Sequence, residues 1–346
     1  MKLGSLSAPG SRDGRLIVVA PGMDRYLPAP DAFATLRLAL DDWARAQTVL
    51  QPLYQRLLDD PRSGLPLEQC ALMAPLPRAH EWLDGSAYLS HARLIRAARG
   101  AQVPPWLEHE PLMYQGGSGC FLGPSDDFPL PDAQFGLDCE AELAVVVTEL
   151  PMGASREQLQ TGICGFVLLN DWTYRHLVPH ELAKGFGFLQ SKPATAFAPL
   201  LVTPDELSRL PAVSAKERPA WDGERVDLAV RTRRNGGLLG RCWSGPEMHF
   251  SFVDLLVHAT RTRSLAASTL IGSGTISNED SARGVSCIAE QRMRERLRDG
   301  ESSTEFLVVG ERIEIEAFDG DGQSVFGALR QRVAPHFAPT QEKETQ

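Results

Sequence analysis

The chain has 346 residues, 43% hydrophobic and 23% charged, with a formal net charge of −9. This is an ordinary globular composition, long enough for one large domain plus a smaller one. The acidic balance, without a long basic run, argues against nucleic acid as a partner, and no window nears the roughly 18 consecutive apolar residues of a membrane helix.

Residues 1–75 read as a small separate α/β module. Met1 to Arg15 holds no apolar segment of signal-peptide type, so a cytoplasmic location is expected. Arg15 to Ala20 predicts a short strand, and a Pro-rich run follows it to Pro30. Leu36, Leu40, Trp43, Leu50, Leu53 and Leu57 recur at helical spacing and predict one helix from Ala32 to Leu58, with that stripe facing a core. Asp60-Pro61 and Ser63-Gly64 end it.

Pro75 to Arg78 marks a linker into a larger domain, residues 76–335. Asp84 and His91 precede a helical segment, Ala92 to Ala98. Trp106 to Pro131, rich in Gly and Pro, predicts a long loop of the kind that lines sites. Its glycines fit neither nucleotide-binding pattern, and Cys120 breaks a GxSxG elbow around Ser118.

Ala141 to Val147 reads as a buried strand, yet Glu140 and Glu142 stand at its entrance. Residues two apart on a strand share a face, so both carboxylates converge on one spot. Either a bound cation resolves their repulsion, with oxygen ligands suiting Mg²⁺, Mn²⁺ or Ca²⁺, or the strand end is solvated at a sheet edge. Cys139 alternates to the opposite face and is given no chemistry. The six cysteines form no CxxC pair and read mostly as small buried hydrophobes.

A second apolar run, Ile163 to Leu169, ends in Asn170-Asp171, another acid where a buried run stops. Arg175, His176, His180, Lys184 and Lys192 follow; the two histidines read as pocket-wall or surface residues. Asn235-Gly236 predicts a hairpin between Val226–Val230 and Leu238–Cys242. Ser251 and Asp254 form a capping box opening a helix from Phe252 to Thr262. Arg312 to Ala317 and Ser324 to Val333 read as a second hairpin, and the polar residues 336–346 as a disordered tail. Many strands and few helices without βαβ regularity predict a β-rich α+β fold.

The chain resembles the fumarylacetoacetate hydrolase family, in particular bacterial members with an extra N-terminal domain. The resemblance rests on Asp84 with Tyr88-Leu-Ser-His91, Glu140-x-Glu142, Asn170-Asp171 with Arg175, Lys192, Gly272 to Thr275, and Glu290, in the family's order. It implies a mixed β-sheet roll, a homodimer, and one divalent ion, Mg²⁺ or alternatively Ca²⁺ or Mn²⁺, held by Asp84, Glu140, Glu142 and Asp171. It also implies a small-molecule 1,3-diketo or 2-oxo acid substrate. His91 would take a proton from water with Glu290 orienting it, and Lys192 would stabilise an oxyanion. Arg175 would clamp a substrate carboxylate or the oxyanion, and Thr275, Tyr88 and Ser86 would contact substrate.

The implied reaction is hydrolysis of a carbon–carbon bond in the breakdown of aromatic compounds or amino acids such as tyrosine. Decarboxylation, hydration or isomerisation of a 2-oxo acid would use the same metal site, and a non-catalytic metal-binding protein is a third reading. Each residue also has a plainer role open to it. Asp171 could cap a segment starting at Thr173, His91 and Glu290 could be surface residues, Arg175 could make a structural ion pair, and Lys184 competes with Lys192. Ser86, Val178 and Leu182 stand where fumarylacetoacetase has Tyr, Gln and Tyr, so the expected substrate is another acylpyruvate or diketo acid.

Overall fold

A computed structural model describes residues 1–60, 62–97, 102 and 104–336. The strands are β1 (Lys2–Ala8), β2 (Ser11–Val19), β3 (Arg25–Pro28), β4 (Leu65–Pro66), β5 (Trp82–Gly85), β6 (Met113–Gly116), β7 (Phe128–Leu130), β8 (Leu137–Asp138) and β9 (Ala141–Val147). They continue with β10 (Ile163–Tyr174), β11 (Ala194–Phe197), β12 (Leu200–Val202), β13 (Ala229–Arg234), β14 (Gly237–Trp243), β15 (Thr269–Gly272), β16 (Arg312–Phe318) and β17 (Leu329–Pro335). The helices are α1 (Leu36–Asp41), α2 (Trp43–Asp59), α3 (Leu89–Ala97), α4 (Arg156–Thr161), α5 (Val178–Lys184), α6 (Pro204–Leu207), α7 (Phe252–Thr260) and α8 (Ile288–Asp299). The fold is mixed α+β and strand-rich.

A 12-stranded sheet runs β4-β3-β2-β1-β12-β10-β9-β15-β5-β6, with β11 and β8 also on β10. A 5-stranded sheet runs β14-β13-β16-β17-β7. The N-terminal strands extend the main sheet, because β1 pairs with β12 through Leu3 and Leu201. β9 is buried along its whole length, and its alternation serves two cores. Leu143, Val145 and Val147 face one; Ala144 and Val146 face the other, shared with Trp43, Leu50 and Tyr54 of α2. This double burial explains the uninterrupted apolar run. It also makes an acid within that strand costly unless something charged meets it.

Several elements differ from their sequence readings. The single helix over Ala32–Leu58 is broken at Asp42, whose φ of −137° and ψ of 59° leave the helical region and separate α1 from α2. The long loop carries β6 and β7. β10 continues through Asp171, which pairs with Thr195 of β11 as a mid-strand residue and caps nothing at Thr173. The first hairpin turns at Asn235 and Gly236, both at positive φ, as the two-residue turn requires. The capping box forms, and α7 ends at Thr260. The second hairpin closes through a longer connection, with Arg312 opposite Arg332. Ala98 and the tail from residue 337 lie outside the described residues.

Candidate active site

Strand register builds the site. Asp84 lies on β5, Glu142 on β9 and Asp171 on β10, on the sheet face toward the core shared with α2. Between β5 and β9 runs β15, where Gly272 pairs with both Asp84 and Ala144. A Cβ on Gly272 would stand 2.2 Å from Asp84 Oδ1, so this glycine leaves the carboxylate its space. One carboxylate oxygen from each of Asp84, Glu142 and Asp171 lies within 4.8 Å of the others.

Neighbours fix two of the three acids. Asp171 accepts from the Tyr114 hydroxyl at 2.6 Å and the Thr195 hydroxyl at 2.9 Å. Asp84 accepts from the Gly274 amide at 3.0 Å. Glu142 is fully buried, and neither of its oxygens has a hydrogen-bond partner. Burial, with Asp84 and Asp171 beside it, pushes Glu142 well above the ordinary carboxylate range. Burial and Asp171 push Asp84 up to about 8.

Glu140 stands apart from this trio. One oxygen accepts from Arg175 Nη2 at 2.6 Å and the other from the Lys192 ammonium, which also reaches Asp171 at 2.6 Å. Burial pushes Glu140 up, but Arg175 and Lys192 outweigh it and hold the carboxyl below its ordinary range. Lys192 is thereby held protonated, while Lys184 is exposed on α5. With all four buried acids ionised, as metal binding requires, only one lysine and an arginine shared with Asp138 would face them, and burial together with that imbalance is what pushes Asp84 and Glu142 up. The orphaned Glu142 carboxylate and the all-oxygen donor set fit one hard divalent ion.

Facing helices carry the other half of the site. His91 on α3 and Glu290 on α8 meet through Nδ1 and Oε1 at 2.7 Å. Glu290 is fully buried and His91 partly exposed, so the imidazole is the reachable end. Asp138 accepts from the Ile288 and Ala289 amides at the start of α8, and from Arg175 Nε at 2.8 Å. A cavity of about 110 Å³ opens beside Lys192 and Thr195, lined also by Tyr114, Gly117 and Cys120 of the Gly-rich segment. A larger one of about 870 Å³, near Trp43 and His80, touches none of these groups.

The expected substrate contacts are placed unevenly. Thr275 and Ser86 lie in the turn around Gly274, Thr275 buried and Ser86 partly so. Tyr88 is buried and its hydroxyl donates to the Ser244 carbonyl, leaving no free proton for a ligand. Arg175 clamps Glu140 and Asp138. His176 and His180 are exposed. The sequence reading missed Tyr114, Thr195 and Asp138. For Asp138 a signal existed, since it shares the two-residue period of Glu140 and Glu142.

The fumarylacetoacetate hydrolase C-terminal family model matches residues 81–334, and fumarylacetoacetase N-terminal domain 2 matches residues 1–78. The chain belongs to the fumarylacetoacetate hydrolase family. It is 26% identical over 370 residues to a fumarylacetoacetase of Aspergillus fumigatus, covering 91% of this chain and 84% of that one. It is 32% identical over 169 residues to a 2,4-didehydro-3-deoxy-L-rhamnonate hydrolase of a Sphingomonas species, 48% of this chain and 53% of that one. The fold matches a fumarylacetoacetate hydrolase of Exiguobacterium antarcticum (TM-score 0.65, 20% identity, 97% of this chain and 100% of that one). It also matches a maleylpyruvate hydrolase of Sphingobium, solved with manganese(II) and pyruvate (TM-score 0.62, 17% identity, 97% and 100%). Family relatives include hydrolases and isomerases. Among the described residues, no helix is long and apolar enough to cross a membrane.

Proposed function

We propose that this protein is a metal-dependent hydrolase that cleaves a carbon–carbon bond in a 1,3-diketo acid, an acylpyruvate of the fumarylacetoacetate kind. The observation that carries this reading is the 2.7 Å contact of His91 with Glu290, a base with its orienting carboxylate, beside the acid trio. Isomerisation and decarboxylation do not require such a pair.

Asp84, Glu142 and Asp171, with Glu140 at their edge, would hold a divalent ion, Mg²⁺, Mn²⁺ or Ca²⁺, whose charge draws electron density from the substrate's paired oxygens. His91 takes a proton from water while Glu290 holds Nδ1–H and steadies the imidazolium. The hydroxyl so formed adds to one carbonyl and gives a tetrahedral oxyanion, with the Lys192 ammonium beside it. The carbon–carbon bond then breaks, its electron pair leaving with the departing carbon, which receives the proton held on His91. Arg175 keeps Glu140 in place, and burial of the trio keeps water from competing with substrate oxygens.

The test follows diketone absorbance over a panel of acylpyruvates and fumarylacetoacetate, with and without EDTA. Turnover on at least one substrate, lost with EDTA and restored by Mg²⁺ or Mn²⁺, is expected. His91→Ala should abolish hydrolysis; metal-independent turnover, or full turnover in that variant, would overturn the proposal.

A further inference from the structure

Next to the acid trio lies a second cluster with different chemistry. His91, Cys287 and Glu290 each bring one donor atom, an imidazole nitrogen, a thiol sulfur and a carboxylate oxygen, to within 4.8 Å of the other two. Cys287 and Glu290 are fully buried and His91 is 18% exposed, so the cluster is approached from the imidazole side. The second Glu290 oxygen, Oε2, is buried with no hydrogen-bond partner. Water activation by His91 uses neither that oxygen nor the thiol.

We infer that His91, Cys287 and Glu290 form a second metal site, selective for a borderline or soft divalent ion such as Zn²⁺, and that filling it switches the base off. Nitrogen, sulfur and oxygen together are a zinc-type donor set, and three protein ligands with one open position make a stable tetrahedral site. The neighbouring trio offers oxygen alone and suits hard ions, so the two sites sort metals by softness. The charge balances: a dication meets one thiolate and one carboxylate, the thiol proton leaves to solvent, and the buried complex is neutral.

Spacing and surroundings agree with this. Metal bonds of about 2.0–2.3 Å place tetrahedral ligand atoms roughly 3.3–3.8 Å apart, so the cluster closes by side-chain shifts of an ångström or less. Cys287 precedes α8 and has a single side-chain torsion to adjust. Positive charge at the start of α8 would oppose a cation, but Asp138 already accepts from its Ile288 and Ala289 amides. Arg175 is likewise engaged by Asp138 and Glu140. An imidazole whose lone pair is bound to metal takes no proton from water. Only this inhibitory consequence rests on the proposed hydrolysis.

Co²⁺ is the probe, titrated into full-length protein in excess Mg²⁺. The wild type should show a thiolate-to-cobalt charge-transfer band in the near-ultraviolet, saturating at one ion per chain and bleached by Zn²⁺. The band should vanish in Cys287→Ser and Cys287→Ala, checked for folding by their melting curves. It should persist in Cys120→Ser, which removes the exposed thiol, and in Asp171→Asn, which damages the oxygen trio. With an active substrate, the Zn²⁺ concentration that halves turnover should rise about tenfold or more in Cys287→Ser. No band in the wild type, or a band that survives Cys287→Ser, would overturn the inference. A band without turnover of any substrate supports this site and counts against the hydrolase reading alone.

Discussion

Asp138 and Arg175 form an ion pair in the interior, Oδ2 accepting from Nε at 2.8 Å, and through it the two halves of the site are mechanically one. On one side Asp138 holds the start of α8, which carries Glu290 and hence orients His91. On the other, Arg175 holds Glu140 at the mouth of the acid trio. A shift of Asp138 therefore moves base and acids together.

Removing one partner of a buried pair costs up to about 3–5 kcal/mol; here Arg175 keeps Glu140, while the Ile288 and Ala289 amides lose their acceptor. Asp138→Ala should lose stability on that scale in urea unfolding, with His91-dependent turnover lost as α8 loosens. Adding Arg175→Met removes the same ion pair, so the double variant should lose less stability than the sum of the two single losses. Additive losses would show that the two side chains are not coupled.

Tyr114 and Thr195 donate to the two oxygens of Asp171 and so aim it. Partners that orient metal ligands typically carry about 10–100-fold in affinity. Tyr114→Phe and Thr195→Val should each weaken Mn²⁺ binding by at least the lower figure in calorimetric titration. Unchanged affinity in both would remove Asp171 from the ligand set.

What could be read beforehand follows residue type more than position. Acids at the ends of apolar runs are conspicuous in sequence, so Glu140, Glu142 and Asp171 stood out, and family resemblance added Asp84, His91 and Glu290. The split between the trio and Glu140 was not legible, because it depends on where Arg175 and Lys192 put their charges. Tyr114 and Thr195 reach Asp171 only through register, Tyr114 opposite Asp84 and Thr195 opposite Asp171. Four-residue β6 within a Gly-rich stretch offers no periodicity to detect. The stripe through α1 and α2 was legible as a buried face, but the break at Asp42 was not, since a core stripe continues across a local kink. Lys184 and Lys192 share similar contexts; spacing from Asp171 favours Lys192, and the fold puts Lys192 on Glu140 and Asp171 and leaves Lys184 exposed.

Gly272 lets Asp84 and the neighbouring Trp82 close over β15, where an added Cβ would meet Trp82 at 2.4 Å as well as the carboxylate. Overpacking of this kind costs about 1–3 kcal/mol. Gly272→Ala should melt earlier by that margin and lose the stabilisation that Mn²⁺ gives the parent. A variant whose melting temperature still rises with Mn²⁺ as the parent's does would show that Asp84 is not a ligand.

Glu181 on α5 fixes the segment that leads into Lys192. Its carboxylate accepts from the amides of Leu189, Gln190 and Ser191 and from the Ser191 hydroxyl. Burial pushes its pKa up, but those donors outweigh it and hold the group at about 2, against an ordinary value of 4.5. Because the folded value is the lower one, the carboxylate's contribution is complete above about 4.5 and is lost as pH falls toward 2. Glu181→Gln turns an amide N–H₂ toward donors, so it should cost about 2 kcal/mol at neutral pH in urea unfolding. Repeated at falling pH, the gap between parent and variant should close below 4.5, because protonation makes the parent's side chain neutral too. Glu295, also held at about 2 by the Thr304 hydroxyl and amide, is present in both proteins and cancels from the difference. A gap that stays constant down to pH 3 would mean that the charge on Glu181 does not hold the segment before Lys192.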